Sequence, residues 1–435
     1  MTGDLKNKKI WVHTLGCRSN QYEGEALASA FADAGAILAD SPRDCDGAAL
    51  VSCTVTAAAD KKCRQAVRKI RRLSPGAVIA ACGCWAQKIS PVEAQSLGIN
   101  IVAGNRRKHL VPALMARSFR GGGPSFIEEK TDVLRSEQWD SLSLSRPFFH
   151  TRAFVKVQDG CNHFCSYCII PYVRGRPVNR DAEETAAEIR RLAASGCPEI
   201  VLTGVHLGLY GARPLGELVR AVASVEGIKR VRFGSLEPFG LDEELLASLA
   251  DTPSFCRHLH LPLQSGSPSV LARMKRGYGP AGYLDLVTKA RKWLGEDLHV
   301  STDVLVGFPG ETDKDFKETL AFMKECRFGK VHVFPYSPRE GTEAWGYPDR
   351  VPGKVVLERM TAALSLAGEL LSSYARRYVG ERVEVLAEEA EGGAFRGLTP
   401  SFLKVEGEGA ALRGEEVPVE ISGLLGEGLK GRRAS

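Results

Sequence analysis

Residues 159–168 read DGCNHFCSYC and directly follow a short apolar run, Ala153 to Val157, which is typical of a β-strand. The three cysteines of this loop, at spacings of four and three, are Cys161, Cys165 and Cys168. Thiolates so close in sequence can bind three irons of a 4Fe–4S cluster, whereas a fully ligated cluster takes four cysteines. We therefore predict a cluster in which one iron is open to another ligand.

A structural zinc site with His163 as the fourth ligand is the alternative interpretation of this loop. Structural zinc sites usually join two separated pairs of ligands, and the close spacing here does not follow that pattern. The spacing therefore favours the iron–sulfur cluster.

The composition is that of an ordinary globular protein. Of the 435 residues, 44% are hydrophobic and 25% are charged, and this length suggests two to three domains. No apolar run is long enough to cross a bilayer, and the polar N-terminal residues contain no signal-peptide core. We therefore expect a cytoplasmic protein without a membrane partner, whose 12 cysteines are ligands or free thiols rather than disulfides. The net charge of +6 permits a nucleic-acid partner without requiring one.

Residues 8–125 are predicted to form an open α/β domain with a parallel sheet, because short β-rich runs alternate there with helical patterns. The expected strands include Lys9–Thr14, Ala48–Ser52 and Ala77–Ala81. A cysteine stands just past the end of each of these strands: Cys17, Cys53 and Cys84. Loops at the carboxyl edge of such a sheet converge on one crevice. We therefore predict that these three thiols meet and hold a second cluster.

Each of these cysteines, taken alone, is better explained as a small buried residue, since free cysteine packs as a hydrophobe. Their repetition at equivalent positions favours the cluster. Cys82 competes with Cys84, but it falls where the strand should still be in the sheet, whereas Cys84 lies beyond Gly83 in the turn. The remaining cysteines have no such partners, and we expect packing or surface roles for them: Cys45, Cys63, Cys197, Cys256 and Cys326.

A strongly basic helix is predicted from about Ala57 to Leu73. Four of its basic residues recur at helical spacing and should form one stripe: Lys61, Arg64, Arg68 and Arg72. A solvated helix face is the alternative explanation of such a run. Because the helix follows one of the cysteine loops, we expect this stripe to contact RNA phosphates.

Residues 146–375 are predicted to form an incomplete barrel of six β/α units, two fewer than in a closed eight-stranded barrel. The cysteine loop follows the first strand, and ligands should bind where the strands end in loops. Other positions expected at that rim, as contacts of a bound cofactor, are Tyr167, Gly204, Val205, Gln264 and Gly307. Glycines there let the backbone approach a ligand closely, although each of these loops has the alternative explanation of a tight turn.

A linker is expected at residues 126–145, after the glycine-rich stretch from Arg120 to Pro124. One long amphipathic helix is expected from Lys354 to about Tyr378. Residues 376–435 contain short strands that suggest a small β-barrel, expected at Arg382–Ala387, Phe395–Leu398, Phe402–Val405 and Glu416–Ile421. From Ala375 to Ser435 the chain has nine Lys or Arg and eleven Asp or Glu, so the overall charge of this barrel does not predict RNA binding.

These motifs together resemble the radical S-adenosylmethionine methylthiotransferases along nearly the whole chain. Residues 161–168 match the family's CxxxCxxC loop, including the aromatic Tyr167 before the third cysteine, and Cys17, Cys53 and Cys84 match the ligands of its auxiliary cluster. The resemblance implies two 4Fe–4S clusters, of which the first binds S-adenosylmethionine (SAM). It also implies that the C-terminal barrel is an RNA-binding TRAM module.

Four short stretches are most similar to the bacterial tRNA enzymes that act on N6-threonylcarbamoyladenosine beside the anticodon: TLGC at 14–17, NQYE at 20–23, LTGVHLG at 202–208 and GSLEP at 234–238. The chain departs from the common pattern at Arg18, where a lysine more often follows the cysteine. The alternatives within the family are enzymes for isopentenyladenosine in tRNA or for an aspartate of a ribosomal protein. The alternative outside enzymes is an iron–sulfur electron carrier with an RNA-binding module.

The reaction that this resemblance implies is replacement of the C2 hydrogen of adenine by a methylthio group. That hydrogen is not acidic enough for a side-chain base, so we expect no catalytic acid or base. We expect the first cluster to reduce SAM and generate a 5′-deoxyadenosyl radical, and the second to hold the transferred sulfur. Both open irons must then face one cavity, which the linker permits. The expected partners are the tRNA anticodon stem-loop and an electron donor such as flavodoxin or ferredoxin, and we expect a monomer.

Overall fold

The computed structural model describes residues 5–121 and 125–434. The first residues of the polar N-terminal segment, the glycine-rich positions 122–124 and Ser435 lie outside the described residues.

The N-terminal part is an α/β unit built on a parallel sheet. Within residues 5–121 and 125–129, six strands hydrogen-bond in the spatial order β2-β1-β3-β4-β5-β6. The strands are β1 (Lys9–Thr14), β2 (Ile37–Leu38), β3 (Gly47–Ser52), β4 (Val78–Gly83), β5 (Ile101–Ala103) and β6 (Ile127–Glu129). The helices are α1 (Arg18–Asp33), α2 (Ala57–Leu73), α3 (Cys84–Lys88), α4 (Pro91–Ser96) and α5 (Val111–Phe119). β3 is buried along its whole length, as expected of a central strand covered on both faces.

The segment expected to be a linker, residues 126–145, contains a short strand and buried side chains. Ile127–Glu129 pairs in parallel with β5 and extends the first sheet. Beyond it, Leu142 and Leu144 are buried, and the Tyr22 hydroxyl donates a hydrogen bond of 2.8 Å to the Leu142 carbonyl. These contacts fasten the connection between the first and second units along α1.

The central part is a curved arrangement of parallel strands. Among the described residues it comprises two three-stranded sheets, ordered β11-β10-β7 and β12-β13-β14. These strands are β7 (Ala153–Lys156), β10 (Glu199–Thr203), β11 (Arg230–Phe233), β12 (His258–His260), β13 (His299–Val306) and β14 (Lys330–Pro335). A bridge from Val231 to Phe255 connects the two sheets near β12, so the strands follow one another around an open barrel. This arrangement confirms the predicted series of six β/α units.

Helices cover the outside of this barrel. They are α6 (Ile170–Arg174), α7 (Ala182–Ala194), α8 (Leu215–Ala223), α9 (Glu243–Ala250), α10 (Pro268–Met274), α11 (Pro280–Leu294) and α12 (Asp313–Glu325). Their starts follow ordinary capping chemistry. Thr312 caps α12 in a capping box with Asp315, and Asp242 caps α9 through the amide of Leu245.

The cysteine loop is closed at its base by a short antiparallel pair, β8 (Gln158–Asp159) and β9 (Val178–Asn179). Gly160 leaves β8 with a φ of +80°, and a Cβ atom there would lie 2.1 Å from the Arg176 carbonyl oxygen. Only glycine fits this position, so the chain can turn sharply into Cys161.

The C-terminal part begins with α13 (Gly353–Ala375), which packs along β14. Five strands then close into a barrel within residues 376–434, in the order β15-β16-β17-β19-β18. They are β15 (Arg382–Glu391), β16 (Ala394–Leu398), β17 (Lys404–Glu408), β18 (Glu416–Leu425) and β19 (Gly428–Arg433). The small barrel confirms the predicted fold, although the sequence did not predict β19.

Buried polar contacts join the small barrel to the amino-terminal ends of the central strands. Arg230 and Arg232 of β11 donate hydrogen bonds to the carbonyls of Leu398 and Pro400, at 2.9 and 3.0 Å. The ring of Phe402 stacks on His258 at 4.8 Å between centroids. The small barrel therefore forms one end wall of the central barrel's interior.

None of the described helices combines the length and the hydropathy that a bilayer crossing requires.

Candidate active site

The three strand-end cysteines of the first sheet share one small region. Cys17 stands before the first turn of α1, Cys53 follows β3, and Cys84 is the first residue of α3. Burial, followed by the effects of the Cys84 and Cys17 thiols, raises the pKa of Cys53 to about 12. Burial likewise raises the pKa of Cys84, with a smaller contribution from Cys17. A Cβ atom at Gly16, next to Cys17, would lie 3.1 Å from the Cys53 Sγ atom, so the loops that carry these two thiols are in contact.

The backbone at Gly83 brings Cys84 to this region. Its φ is +92°, and a Cβ atom would lie 2.9 Å from the carbonyl oxygen of Ser52. This close approach lets the end of β4 pass against the end of β3, next to Cys53. Cys82 is still inside the strand, where it pairs with Ala103, and it is fully buried.

The cysteines of the central loop are likewise grouped. Burial raises the pKa of Cys161 to about 11 and that of Cys168 to about 12, and Cys165 contributes to both shifts. Burial acts to raise the pKa of Cys165 itself, but hydrogen bonding from His163 and the charge of Arg276 bring it below its usual value. The Nη1 atom of Arg276 donates to Cys165 Sγ at 3.4 Å, and the His163 amide donates to Cys161 Sγ at 3.3 Å. Such donors stabilise sulfur that carries negative charge.

Both groups of cysteines fit a 4Fe–4S cluster better than a single metal ion. Within the described ranges, no three His, Cys, Asp or Glu side chains converge closely enough to hold one ion. A cluster separates its ligands more widely than one ion does, and each group presents three free thiols. His163, the fourth ligand of the alternative zinc site, has its Nε2 atom 3.0 Å from the carbonyl oxygen of Lys275.

The two groups of cysteines are neighbours across the boundary between the first and second units. Cys84 packs in one hydrophobic cluster with Ile169 and Val173, which follow Cys168 directly in the chain. Arg174 then donates from Nε to Cys84 Sγ at 3.2 Å. One short helix, α6, thus connects the central cysteine loop to the cysteines of the first sheet.

A buried charge network surrounds this connection and has members from both units: Glu23, Arg106, Lys108, Asp140, Lys156, Asp159 and Arg174. All of these side chains are at most 1% exposed. Arg174 donates to Glu23 at 3.0 Å and to Asp159 at 2.9 Å. Although burial alone would raise it, the charges of Arg174, Lys108 and Lys156 lower the pKa of Glu23 to about 2. The network holds the two units in one fixed arrangement.

The residues expected to contact the cofactor lie at the carboxyl ends of the central strands. Gly204 and Val205 follow β10, and Gly204 lies against the side chain of Gln158. Gln264 follows β12 and bridges to Val304 with a φ of +73°, an unusual conformation for a residue other than glycine. Gly307 follows β13. The ring of Tyr167 contacts Phe308, beside Gly307, at 6.5 Å between centroids.

Sequence reasoning missed Arg276 and Glu237 at the same rim. Arg276 is nearly fully buried, and its Nη2 atom donates to Glu237 at 2.6 Å and to the Pro262 carbonyl at 3.2 Å. A single buried arginine thus joins Cys165 to two further rim loops. The only sequence signal was the GSLEP stretch that contains Glu237.

The basic stripe lies on the exposed face of α2, which begins at Ala57, four residues after Cys53. Lys61, Arg68 and Arg72 are exposed. Arg64 is partly engaged, because it pairs with Glu93 at 2.7 Å and lies over the Trp85 ring. The stripe therefore consists of one structural arginine and three cations, Lys61, Arg68 and Arg72, that form no ion pair with the residues the structure describes.

The small C-terminal barrel has no comparable stripe in its basic β19 segment. Arg432 pairs with Glu420 at 3.1 Å, and Arg433 pairs with Glu415 at 2.9 Å. Arg396 on β16 pairs with Glu406 at 3.3 Å. These arginines are largely neutralised by their own barrel.

Comparison with known proteins places this chain in a family. Residues 155–323 match the radical SAM superfamily, and residues 9–104 match the family described as UPF0004. The chain is 38% identical over 94% of its length to the threonylcarbamoyladenosine tRNA methylthiotransferase MtaB of Bacillus subtilis, of which it covers 92%. It is 35% identical over 88% of its length to the tRNA-2-methylthio-N(6)-dimethylallyladenosine synthase of Geobacter sulfurreducens, of which it covers 87%.

Among solved structures, the chain is similar in fold to the radical SAM methyltransferase TsrM of Kitasatospora setae, with a TM-score of 0.59 and 17% identity. The match covers 78% of this chain and 77% of TsrM. The barrel, the two cysteine groups and the full-length relatives agree: the chain belongs to the radical SAM methylthiotransferase family.

Proposed function

We propose that this protein replaces the C2 hydrogen of N6-threonylcarbamoyladenosine, next to the anticodon of tRNA, with a methylthio group. Two 4Fe–4S clusters and SAM are its cofactors. The observation that carries the proposal is the contact of Cys84 with Ile169, Val173 and Arg174, because it brings two three-cysteine groups to one place. An electron carrier has no need of two incompletely ligated clusters side by side.

We propose Cys17, Cys53 and Cys84 as ligands of one cluster and Cys161, Cys165 and Cys168 as ligands of the other. When bound, the clusters and SAM supply the electron, the radical and the methylthio group that the exchange requires. The protein's own residues bind and orient these groups. Arg174 and Arg276 donate hydrogen bonds to ligand sulfurs, and Arg276 also ties the loop to Glu237 and Pro262.

The rim residues Tyr167, Gly204, Val205, Gln264 and Gly307 are proposed as the SAM-binding surface. Gly204 and Gly307 present backbone there, and the positive φ of Gln264 is typical of a residue held in place for binding. The ring of Tyr167 packs with Phe308 under the cysteine loop and supports it from the apolar side.

We propose that the exposed cations of α2, at Lys61, Arg68 and Arg72, bind tRNA phosphates. Arg64 orients the helix through Glu93 rather than serving as a free cation. The helix begins beside Cys53, so a backbone bound there would leave a flipped base within reach of the cysteine groups. Because these arginines of the C-terminal barrel are paired with glutamates, we expect that module to contact tRNA through its shape rather than through its charge.

We further propose a cytoplasmic monomer that is reduced by a small electron carrier such as flavodoxin or ferredoxin. The cytoplasm contains both tRNA and such reductants. Its reducing environment also preserves free thiols such as those of this chain.

Nucleoside analysis of tRNA from cells that lack this protein tests the proposal. Mass spectrometry should show N6-threonylcarbamoyladenosine without its methylthio derivative, and the derivative should return when the gene is restored. Loss of the dimethylallyladenosine derivative instead would assign the other tRNA substrate. An unchanged tRNA profile with an altered ribosomal-protein mass would contradict the tRNA assignment.

A further inference from the structure

A basic cavity lies directly beside Cys17. Its volume is about 330 Å³, and its wall includes Arg18, Arg152 and Arg232 together with Phe402 from the C-terminal barrel. No carboxylate is among the described residues that line it. We call it the Arg18 cavity. A larger cavity of about 690 Å³ between the central and C-terminal units shares Arg18, Arg152 and Phe402 with it, so the two spaces meet at these side chains.

The three arginines are not equally neutralised. Arg232 donates to Glu199 at 3.0 Å and to two backbone carbonyls, so its charge is balanced. Arg152 pairs with Glu388 at 2.7 Å, and its buried Nη1 atom, which lies 3.9 Å from Glu199, has no hydrogen-bond partner in the described chain. Arg18 donates to the Gly234 carbonyl and, within residues 5–121 and 125–434, forms no ion pair with a carboxylate. Three arginines therefore share two paired carboxylates, Glu199 and Glu388, and the cavity wall carries an excess of positive charge.

The position of Arg18 in the fold adds to this imbalance. Arg18 begins α1, whose first turn has no acidic residue, so the positive end of the helix dipole faces the same side as the cavity.

Phe402 holds the arginines in this unusual arrangement. The ring lies 5.7 Å from the guanidinium of Arg18, 5.4 Å from that of Arg152 and 4.6 Å from that of Arg232. Phe402 itself has a φ of +66°, a strained conformation for a bulky residue. Such strain persists where surrounding structure enforces it and is common at ligand sites. The C-terminal barrel thus positions three cations around one cavity.

The chemistry of the substrate matches this site. N6-threonylcarbamoyladenosine carries a carboxylate on its N6 substituent, whereas a dimethylallyl group is wholly apolar. In the adenine ring only N1 separates C2 from the carbon that bears N6, so the substituent lies near the reacting edge. A base whose C2 is presented to the group held by Cys17 would extend its N6 substituent into the space beside Cys17.

We propose that the Arg18 cavity binds the carboxylate of the threonylcarbamoyl group, with Arg18 and the Nη1 atom of Arg152, which lacks a hydrogen-bond partner among the described residues, as its donors. The inference rests on the proposed function and identifies what selects the substrate. Arg18 and Arg152 are then specificity-determining residues, and Arg232 and Phe402 position them. Arginine suits this role because its planar fork can bind both carboxylate oxygens.

Two other anions share this chemistry, namely an RNA phosphate and the carboxylate of SAM. Three anticodon stem-loops of the same sequence separate these sources. One carries N6-threonylcarbamoyladenosine, the second its neutral methylamide, and the third dimethylallyladenosine. Their phosphates are identical, and the SAM carboxylate is the same in each assay, so only the substrate carboxylate differs.

Dissociation constants of the cluster-loaded protein for these stem-loops are the principal measurement, and methylthio transfer is measured in parallel. The unaltered protein should bind the acid on the order of ten- to a hundredfold more tightly than the methylamide. Arg18→Gln should bind both equally, and Arg18→Lys should recover part of the preference. Arg176→Gln removes an exposed arginine outside the cavity and should keep the full preference.

The outcomes separate this inference from the proposed function. Equal affinity of the unaltered protein for acid and methylamide would overturn the carboxylate site, and this result needs no variant to fold. The same holds if Arg18→Gln and Arg152→Gln, folded by circular dichroism, keep the preference. Methylthio transfer to the threonylcarbamoyl stem-loop despite either result leaves the proposed function standing. Absence of transfer to that stem-loop, with transfer to dimethylallyladenosine, would contradict both.

Discussion

The Nε atom of Arg174 donates a hydrogen bond of 3.2 Å to the Sγ atom of Cys84, while its Nη1 atom donates to Asp159, two residues before Cys161. One fully buried guanidinium therefore contacts both cysteine regions, although they belong to different units of the chain. The relative placement of the two proposed clusters depends on this side chain and on the buried charge network around it.

Replacing Arg174 should separate the two units. Arg174→Gln removes one of the two cations, Arg174 and Lys156, that Glu23 and Asp159 share, and breaking a buried pair costs up to about 3–5 kcal/mol. We expect a lower melting temperature and reduced iron content. Arg174→Lys should keep more stability than Arg174→Gln, but it loses the simultaneous contact with Cys84. Arg176→Gln is the matched control, and an equal loss of stability there would argue against a specific role for Arg174.

The two groups of cysteines should fail in different ways. Serine at Cys17, Cys53 or Cys84 should abolish methylthio transfer but preserve formation of 5′-deoxyadenosine from SAM, because the central loop is intact. Serine at Cys161 should remove both activities. Iron and sulfide analysis should show about half of the normal content in every case. The control is Cys82→Ala, which removes a buried thiol inside β4 and should retain both clusters.

Loss of 5′-deoxyadenosine formation in a Cys53→Ser protein that keeps its central cluster would contradict the division of roles.

The free cations of α2 should contribute more to tRNA affinity than the paired arginines of the C-terminal barrel. Replacing Lys61, Arg68 and Arg72 with alanine should lower affinity and reduce the salt dependence of log K by roughly two to three units. The matched triple variant removes Arg396, Arg432 and Arg433, each of which already pairs with a glutamate. Filter binding across a salt series would measure both. A larger effect in the barrel variant would assign the main RNA contact to the barrel.

Acidic pH should loosen the C-terminal barrel. Burial lowers the pKa of His299, which bonds to the Ser401 carbonyl at the junction, from 6.5 to about 4. As the pH falls, the unfolded chain takes up this proton first, near pH 6.5, and the folded protein takes it up only near pH 4. The stabilising contribution of the neutral histidine is therefore complete above pH 6.5 and is lost as the pH falls toward 4. Between pH 7.5 and 5 this residue alone should lower the free energy of unfolding by about 2 kcal/mol.

Calorimetry of the unaltered protein and of His299→Gln at these two pH values would check this. The variant should be less stable at pH 7.5, because the Ser401 contact changes, but its stability should depend less on pH. If the stability of His299→Gln depended on pH as strongly as that of the unaltered protein, His299 would not be the group responsible.

Local chemistry explains why much of this molecule was predictable. The six central strands, the basic helix α2 and the small barrel follow from apolar periodicity and turn residues, which act over a few positions. The strand-end cysteines could be grouped because parallel topology brings successive loops to one edge. Strand β19 was missed because its glycines and arginines do not alternate with apolar residues, and its stability comes from pairing with β17 and β18.

Contacts between distant parts of the chain could not be predicted in the same way. The buried charge network joins residues as far apart as Glu23 and Arg174, and each member alone would be read as a surface charge. Phe402 was placed in a predicted strand, whereas it adopts a positive φ and packs on three arginines of two other units. Such arrangements exist only once the units have docked.

We propose that this chain adds a methylthio group to C2 of N6-threonylcarbamoyladenosine in tRNA, and this reaction can be assayed in vitro. The direct test is to incubate the protein, reconstituted with iron and sulfide, with SAM, a reductant and an anticodon stem-loop that contains this nucleoside. Mass spectrometry of the digested RNA should show the gain of one methylthio group, which Cys17→Ser and Cys161→Ser proteins do not produce. An unmodified nucleoside, despite full cluster content and reductive cleavage of SAM, would contradict the proposed function.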